Sequence, residues 1–269
     1  DLPEAISRVV AEKADRLRGA ARLKFLWDDV LVPLARAMRP GVAAAAREFR
    51  PHVLVVDQQA LAGALVARAH DIAWATLATT SAQLVDPLAA WPKVKAWHAQ
   101  LLRGLDLEAG LSPAETPACS PRLVIAFSSE ALVGPLSEFP AHYHFVGPSI
   151  HARPESAAFP WHKLRQGPRV LVSLGTVNAE AGAKFYPCVI EAFRGQDVQV
   201  ILVAPDGLAK AAPDNFIVSS FVPQLALLQK VDAVVSHAGH NTVVETLAHG
   251  LPLVVAPIKD DQPVIAQQV

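Results

Sequence analysis

Residues suited to chemistry are concentrated in the last third of this sequence, where short apolar runs end in polar segments. The apolar run 233–236 leads into the segment HAGHNT (237–242), which also opens a predicted helix. Backbone N–H groups and the positive end of the dipole at a helix start attract anions. His237, Asn241 and Thr242 add side-chain hydrogen bonds, and Gly239 allows close approach of a ligand to the backbone. The segment therefore predicts a site for a diphosphate-sized anion.

Two alternatives apply to this segment. Asn241 or Thr242 could merely cap the helix, an effect of about 1 kcal/mol, but capping leaves the histidines and the glycine unexplained. The spacing of His237 and His240 also suggests zinc. However, no suitable third ligand is evident, because Glu245 lies more than a turn from His240. A metal site is therefore disfavoured.

Three further segments carry candidate binding residues. In SLGT (173–176), Gly175 allows close approach and Thr176 offers a hydroxyl for an oxyanion, although a plain turn would have the same composition. Asp260, Asp261 and Gln262 follow a later strand and could bind vicinal hydroxyls of a sugar, unless they form a solvated turn. The segment FVPQ offers an aromatic face for a nucleobase beside a polar amide, unless its phenylalanine is a core residue. The residues singled out there are Phe221, Val222 and Gln224.

Several common enzyme classes lack their motifs here. The sequence has no G-x-G-x-x-G, no G-x-x-x-x-G-K-[ST] and no G-x-S-x-G, so dehydrogenase, P-loop kinase and α/β-hydrolase functions are disfavoured. A net charge of −1 provides no field for nucleic acid or anionic lipid. No apolar run reaches the roughly 18 residues of a membrane span. We expect a cytoplasmic protein that acts on small molecules.

The elements that must position these residues alternate between strands and helices. We predict helix over 4–47 with breaks at Pro33 and Pro40, then strand 53–56, helix 60–69 and strand 72–77. A helix is predicted over 94–105; Trp91 precedes it and Trp97 lies within it. Strands 123–127 and 143–146 follow. In the second half we predict strands 170–174, 198–203, 216–219, 233–236 and 253–256, with helices 181–193, 224–229 and 241–249.

This alternation predicts two Rossmann-like, doubly wound α/β domains that face one another. The first spans residues 1–150 and the second 169–269, with an interdomain linker at 151–168. Ligands of such sheets bind beyond the carboxyl ends of the strands, which is where the candidate residues lie.

The stretch 221–262, FVPQLALLQKVDAVVSHAGHNTVVETLAHGLPLVVAPIKDDQ, resembles the nucleotide-sugar signature of family 1 glycosyltransferases. The resemblance is greatest to the bacterial macrolide-type and zeaxanthin glucosyltransferase-like branch. It extends to the SLGT loop and to the VVD segment that ends at Asp57, and it implies the GT-B fold, with two Rossmann-like domains across a cleft. Against full-length family members, the chain is expected to be truncated at both ends.

The resemblance also implies roles for single residues. Phe221 would stack on a uracil or thymine ring, Val222 would hold the base edge, and Gln224 and Glu245 would reach the ribose. Asp261 and Gln262 would bind the sugar hydroxyls. The diphosphate would be held by His237, Gly239, Asn241 and Thr242, together with Gly175 and Thr176 of the SLGT loop. His240 matches a variable position, where we expect only the backbone to contribute.

The family mechanism is direct displacement at the anomeric carbon without a metal or other cofactor. Its base is a histidine after the first strand, held by an aspartate that Asp57 matches. His52 and His70 do not match that histidine, which is expected to precede this chain.

The leading hypothesis is an inverting transferase that moves a hexose from a UDP- or TDP-sugar to a hydroxyl of a lipophilic acceptor. Residues 79–84 and the two tryptophans Trp91 and Trp97 would line the acceptor side. The alternative is a catalytically silent nucleotide-sugar-binding or helper protein, which could lack the base histidine. A sugar-nucleotide epimerase is disfavoured by those tryptophans and by HAGHNT. A homodimer is left open.

Overall fold

Two parallel sheets organise the chain, one in each half. The computed structural model describes residue 17 and residues 19–86, 88–114, 118–150, 158–175, 182–208 and 212–269. The chain divides into two compact units, Asp1–Val146 and Gly147–Val269. All strand pairings given for the described residues are parallel. The predicted α/β architecture is therefore confirmed for both halves.

The first unit contains a four-stranded sheet in the order β1-β2-β3-β4. Its strands are β1 Val53–Asp57, β2 Ala73–Ala78, β3 Val124–Ala126 and β4 Tyr143–Phe145. Helix α1 spans Gly19–Phe25, and a π-helical segment Leu26–Leu31 joins it to α2, Val32–Phe49. The remaining helices are α3 Leu61–Ala69, α4 Pro92–Glu108 and α5 Glu130–Val133. β1 and β2 end side by side, with Asp57 paired to Leu77 in register.

The predicted break at Pro40 is wrong, since α2 continues through this residue. A proline in a helix interior removes one hydrogen bond and costs about 3 kcal/mol. Pro40 is exposed, as is Arg36 four residues earlier, so the carbonyl that loses its partner is on the side that water reaches. The opposite face buries Val32, Ala35 and Ala46. Pro33 lies in the first turn of α2, where a proline is well tolerated.

The helices of the first unit form a common core. Its buried members come from the π-helical segment, α2, α3 and α4, and are Trp27, Leu31, Val32, Ala35, Leu61, Leu65, Leu102 and Leu105. An ion pair ties α3 to α4 beside this core: Arg68 Nη1 lies 2.5 Å from Asp106 Oδ1. Asp106 is fully buried and also accepts a hydrogen bond from the Ala114 backbone, so it fixes the chain that follows α4.

The second unit contains a five-stranded sheet in the order β7-β6-β5-β8-β9. Its strands are β5 Arg169–Ser173, β6 Gln199–Val203, β7 Phe216–Ser219, β8 Ala233–Ser236 and β9 Leu253–Val255. Its helices are α6 Gly182–Phe193, α7 Gln224–Leu228, α8 His240–Ala248 and α9 Gln262–Gln268. Neighbouring residues of β5 belong to different cores, Leu171 to one and Val172 to the other. Because successive side chains point to opposite faces, this sheet is buried on both.

The described part of the predicted linker belongs to the second unit. Phe159 is buried in the core that contains Leu171, and Leu164 packs against the same cluster. Residues 158–168 therefore contribute to the packing of this unit. Residues 151–157, the predicted helix over 4–16, and Thr176 lie outside the described residues.

Candidate functional site

Two neighbouring strands of the second sheet end in the same kind of turn. Ser173 at the end of β5 is paired in register with Ser236 at the end of β8. Ser173 Oγ accepts a hydrogen bond from the Gly175 backbone N–H at 3.2 Å, and Ser236 Oγ accepts one from Ala238 at 3.1 Å. Gly175 and Ala238 both have positive φ angles, 70° and 65°. These serine turns close the two loops side by side at the carboxyl edge of the sheet.

His237 lies between these two loops. The residue is 8% exposed, and its ring lies directly against Gly175 and Gly239. Its Nδ1 atom is buried and has no hydrogen-bond partner among the described residues. Burial lowers the pKa of His237, opposed by the Ser173 backbone and the Asp261 carboxylate, which raise it. The imidazole is therefore mainly neutral at neutral pH, and its buried Nδ1 is a hydrogen-bonding position that no described residue satisfies.

Helix α8 begins beside this histidine. Gly239 is its N-cap residue, and no side chain makes a capping hydrogen bond there. The alternative that Asn241 or Thr242 caps the helix is therefore wrong. Asn241 is exposed and Thr242 is buried in the first turn. The uncapped start places the positive end of the dipole next to His237, which is an arrangement suited to an anion.

A second group of site residues lies one to two turns further along α8. Glu245 is buried, and its Oε2 accepts a 2.6 Å hydrogen bond from Nε2 of Gln224, the first residue of α7. Phe221 is 59% exposed, so the alternative that it is a core residue is wrong. Val222 beside it is buried, and Ser219 Oγ donates to the Phe221 carbonyl at 2.7 Å. An exposed ring therefore lies close in sequence to a polar amide–carboxylate pair.

The loop between β9 and α9 brings the predicted sugar-binding residues near this edge. Asp261 is the N-cap residue of α9 and is half-buried. The buried Gln262 has a role that the sequence did not indicate: its Oε1 accepts hydrogen bonds from the Ile258 and Lys259 backbone at 2.8 and 2.9 Å. Gln262 thus fixes the loop that carries Asp261, which acts electrostatically on His237.

Asp57 occupies the corresponding edge of the first sheet. Its Oδ1 accepts a 2.8 Å hydrogen bond from the Gln59 backbone, and its Oδ2 accepts one of 2.9 Å from Thr79 Oγ1 at the end of β2. The neighbouring Gln58 is buried and donates to the Thr80 carbonyl at 3.3 Å. Thr79 as the partner of Asp57 was missed from the sequence. The pairing of β1 with β2 was the signal that could have indicated it.

The structure thus gathers most of the predicted donor residues at one edge of the second sheet, whereas Asp57 lies in the first unit. His240 is buried at the start of α8. Within the described ranges there is no group of three or more His, Cys, Asp or Glu side chains that could hold a metal ion. The described helices include none long and apolar enough to cross a membrane.

Comparison with known proteins finds relatives among the glycosyltransferases. Residues 165–269 match the model of the UDP-glucoronosyl and UDP-glucosyl transferases. The NDP-glycosyltransferase YjiC of Bacillus subtilis is 31% identical over 235 residues, which cover 83% of this chain and 59% of that protein. The zeaxanthin glucosyltransferase of Pantoea ananas is 26% identical over 250 residues, or 80% of this chain and 58% of that protein. The chain is therefore similar to the family 1 glycosyltransferases, through a family model over its second unit and through curated relatives over most of its length.

Solved structures show the same fold. The glycosyltransferase of kitacinnamycin superimposes with a TM-score of 0.73 at 24% identity, over 98% of this chain and 74% of that one. The spinosyn rhamnosyltransferase SpnG, complexed with thymidine diphosphate, gives a TM-score of 0.66 at 22% identity, over 99% of this chain and 66% of that one. The GT-B fold predicted from the sequence is confirmed. The chain spans 32%, 37% and 59% of the length of three curated relatives from Bacillus subtilis.

Proposed function

We propose that this protein is part of an inverting glycosyltransferase that moves a hexose from a UDP- or TDP-sugar to a hydroxyl of a lipophilic small molecule. The observation that carries the proposal is His237, a buried neutral histidine with an unpartnered Nδ1, next to the uncapped start of α8. This combination suits a diphosphate, because helix N–H groups donate to its oxygens and an imidazole donates to them through Nδ1 when that nitrogen carries the proton.

Other residues of the proposed donor site lie further along α8, near α7, and in the loop before α9. The Gln224–Glu245 pair offers a carboxylate and an amide for ribose hydroxyls, and the exposed Phe221 offers a face for the base. Asp261 lies near enough to His237 to influence its pKa, so it is suited to hydroxyls of the hexose attached to the diphosphate. A uridine or thymidine diphosphate sugar has all of these groups, and two structurally similar glycosyltransferases have been solved in complex with thymidine diphosphate.

The chemistry that fits this site is a single displacement. The acceptor oxygen attacks the anomeric carbon as its proton passes to a base, and the bond to the diphosphate breaks on the opposite face. Negative charge then grows on the departing diphosphate, where the α8 N–H groups and His237 stabilise it. We expect this stabilisation to suffice without a metal ion, so transfer by the full-length protein should persist in EDTA.

Asp57 would act on the acceptor side. Its carboxylate is held by Gln59 and Thr79, so it can orient a base histidine in the manner that the family resemblance implies. An acceptor hydroxyl on an apolar molecule suits Trp91, which is 49% exposed, whereas Trp97 is partly buried against the helical core.

Titration calorimetry with UDP and with TDP tests the donor site. We expect His237→Ala to weaken both by at least about tenfold, since a hydrogen bond to a charged group is lost. His162→Ala is the matched control, because His162 is an exposed histidine of the same unit. Equal affinities in wild type and His237→Ala would contradict the site.

Product analysis of the full-length protein tests the reaction. Incubation with UDP-glucose or TDP-glucose and a panel of lipophilic alcohols should give glucosides whose anomeric configuration, measured by NMR, is opposite to that of the donor. Nucleotide binding without any glucoside across the panel would favour the helper-protein alternative.

A further inference from the structure

Two glycines from different loops enclose the His237 ring. A Cβ atom on Gly239 would lie 2.4 Å from Nε2 and 2.6 Å from Cε1 of His237. A Cβ atom on Gly175 would lie 2.8 Å from Cε1 and 3.0 Å from Nε2. Carbon atoms in contact are normally about 3.5–4.0 Å apart, so neither position can carry a side chain while the ring stays in place.

The backbone at Gly239 does not itself require glycine. Its φ of −65° and ψ of 133° are accessible to every residue. The His237 ring is therefore the structural reason for glycine at this position. Gly175 differs, because its φ of 70° favours glycine independently of the ring. A substitution at Gly239 therefore tests the steric contact with the histidine alone, because it introduces no backbone strain.

The enclosure joins neighbouring strands. Gly175 follows β5 and Gly239 follows β8, and these strands pair in register at Ser173 and Ser236. The serine turns at both ends fix the loops, so the ring is located by two independently anchored segments. The glycines contact the ring at Cε1 and Nε2, and the Ser173 backbone also interacts with it. Nδ1 is buried and without a partner among the described residues.

We propose that Gly175 and Gly239 are positioning residues, which form a slot for the His237 imidazole and aim it at the nucleotide diphosphate. In this role the glycines act through the histidine instead of making room for the phosphate themselves. The diphosphate as the target rests on the proposed function, whereas the slot itself does not.

Imidazole NMR of the nucleotide-free protein tests the slot. The His237 signals are identified by their disappearance in His237→Ala. In Gly239→Ala the ring is displaced towards water, and its pKa should rise towards the ordinary value, because burial is the main cause of its depression. Gly207→Ala is the control, since a Cβ there meets no atom within 4 Å. An unchanged His237 titration in Gly239→Ala would overturn the slot.

A double-mutant cycle tests the positioning role. Gly239→Ala should weaken UDP binding by about tenfold in the wild-type background, as for loss of a hydrogen bond to a charged group. In the His237→Ala background the same change should alter binding by less than about twofold, because the ring has gone. An equal loss in both backgrounds would overturn the proposal and indicate that the glycine admits the phosphate directly.

Failure of the slot can be distinguished from failure of the donor site and from misfolding of the variant. If wild type binds neither UDP nor TDP, the donor site fails, while the NMR titration still decides whether the slot exists. If Gly239→Ala does not fold, recovery of the fold in Gly239→Ala/His237→Ala, measured by circular dichroism, supports the slot. Failure of both variants to fold overturns it.

Discussion

Gln224 and Glu245 form a 2.6 Å hydrogen bond between the first residue of α7 and the buried face of α8. The donor is an amide and the acceptor a carboxylate, so the bond is of the stronger, charge-assisted kind. It holds the two helices in a fixed relation beside the exposed ring of Phe221. The pair is therefore placed to present a preformed carboxylate to a ligand.

Glu245→Ala should weaken UDP binding by about tenfold, since hydrogen bonds between the carboxylate and the ribose are lost. TDP lacks the ribose 2′-hydroxyl, so we expect a smaller loss for TDP. Calorimetry with both nucleotides measures this difference. Gln224→Ala, which removes the partner and keeps the carboxylate, should have the weaker effect. Equal affinity for UDP in wild type and Glu245→Ala would remove Glu245 from the site.

Asp57→Asn should lower the kcat of the full-length protein by about a hundredfold, within the range for general acid–base contributions. Asparagine retains Oδ1 as the acceptor for the Gln59 N–H, and its Nδ2 can donate to the Thr79 hydroxyl oxygen, so the turn should survive. Donor affinity should change by less than about twofold, because the residue acts on the acceptor side. Thr79→Val should reduce kcat more mildly. Parallel losses of kcat and donor affinity would place Asp57 in the donor site instead.

The pH dependence of stability should report the burial of His237. Because its pKa is lowered by desolvation, the folded protein binds fewer protons than the unfolded chain near the ordinary pKa of 6.5. The contribution is fully present above that value and is lost as the pH falls through 6.5 towards the lowered pKa. Urea unfolding at several pH values should show wild type losing more stability on acidification than His237→Ala. The comparison between variants is needed because burial also lowers the pKa of His98.

Removing one partner of the ion pair between Arg68 and Asp106 should destabilise the first unit strongly. Their side chains are 17% and 1% exposed, so Asp106→Ala leaves a largely buried guanidinium without its partner and should cost about 3–5 kcal/mol. The exposed pair Arg36–Glu108, with side chains 52% and 48% exposed, provides the control. Glu108→Ala should cost less than about 1 kcal/mol. Urea unfolding of both variants measures the difference, and similar costs would contradict it.

Apolar runs predicted most strands of this protein, because a strand in a parallel sheet is buried on both faces and its sequence is nearly continuous in Val, Ile and Leu. The run 233–236 is an example, and the structure has β8 at the same bounds. Pro40 was less informative. Whether a proline ends a helix depends on how strongly the other face is packed, and this is a tertiary property of Val32, Ala35 and Ala46.

The candidate donor segments were predictable because the chemistry of HAGHNT is local. The relation between Gly175 and His237 was not, since it depends on which strand lies next to β8 and on where the ring turns. The role of Gln262 was equally hidden. Its side chain could have faced a ligand or its own loop, and only the bonds to Ile258 and Lys259 reveal the second outcome.

The pairing of the central strand of the second sheet affects how the protein folds during its synthesis. β5 pairs with β8, and the partners Val170 and Ala233 lie 63 residues apart in the chain, as do Arg169 and Asp232. During synthesis one edge of β5 stays unpaired until the ribosome has made the residues of β8. Contacts between distant residues form slowly, and an open strand edge invites wrong partners. We therefore expect nascent chains that end before β8 to depend most on chaperones.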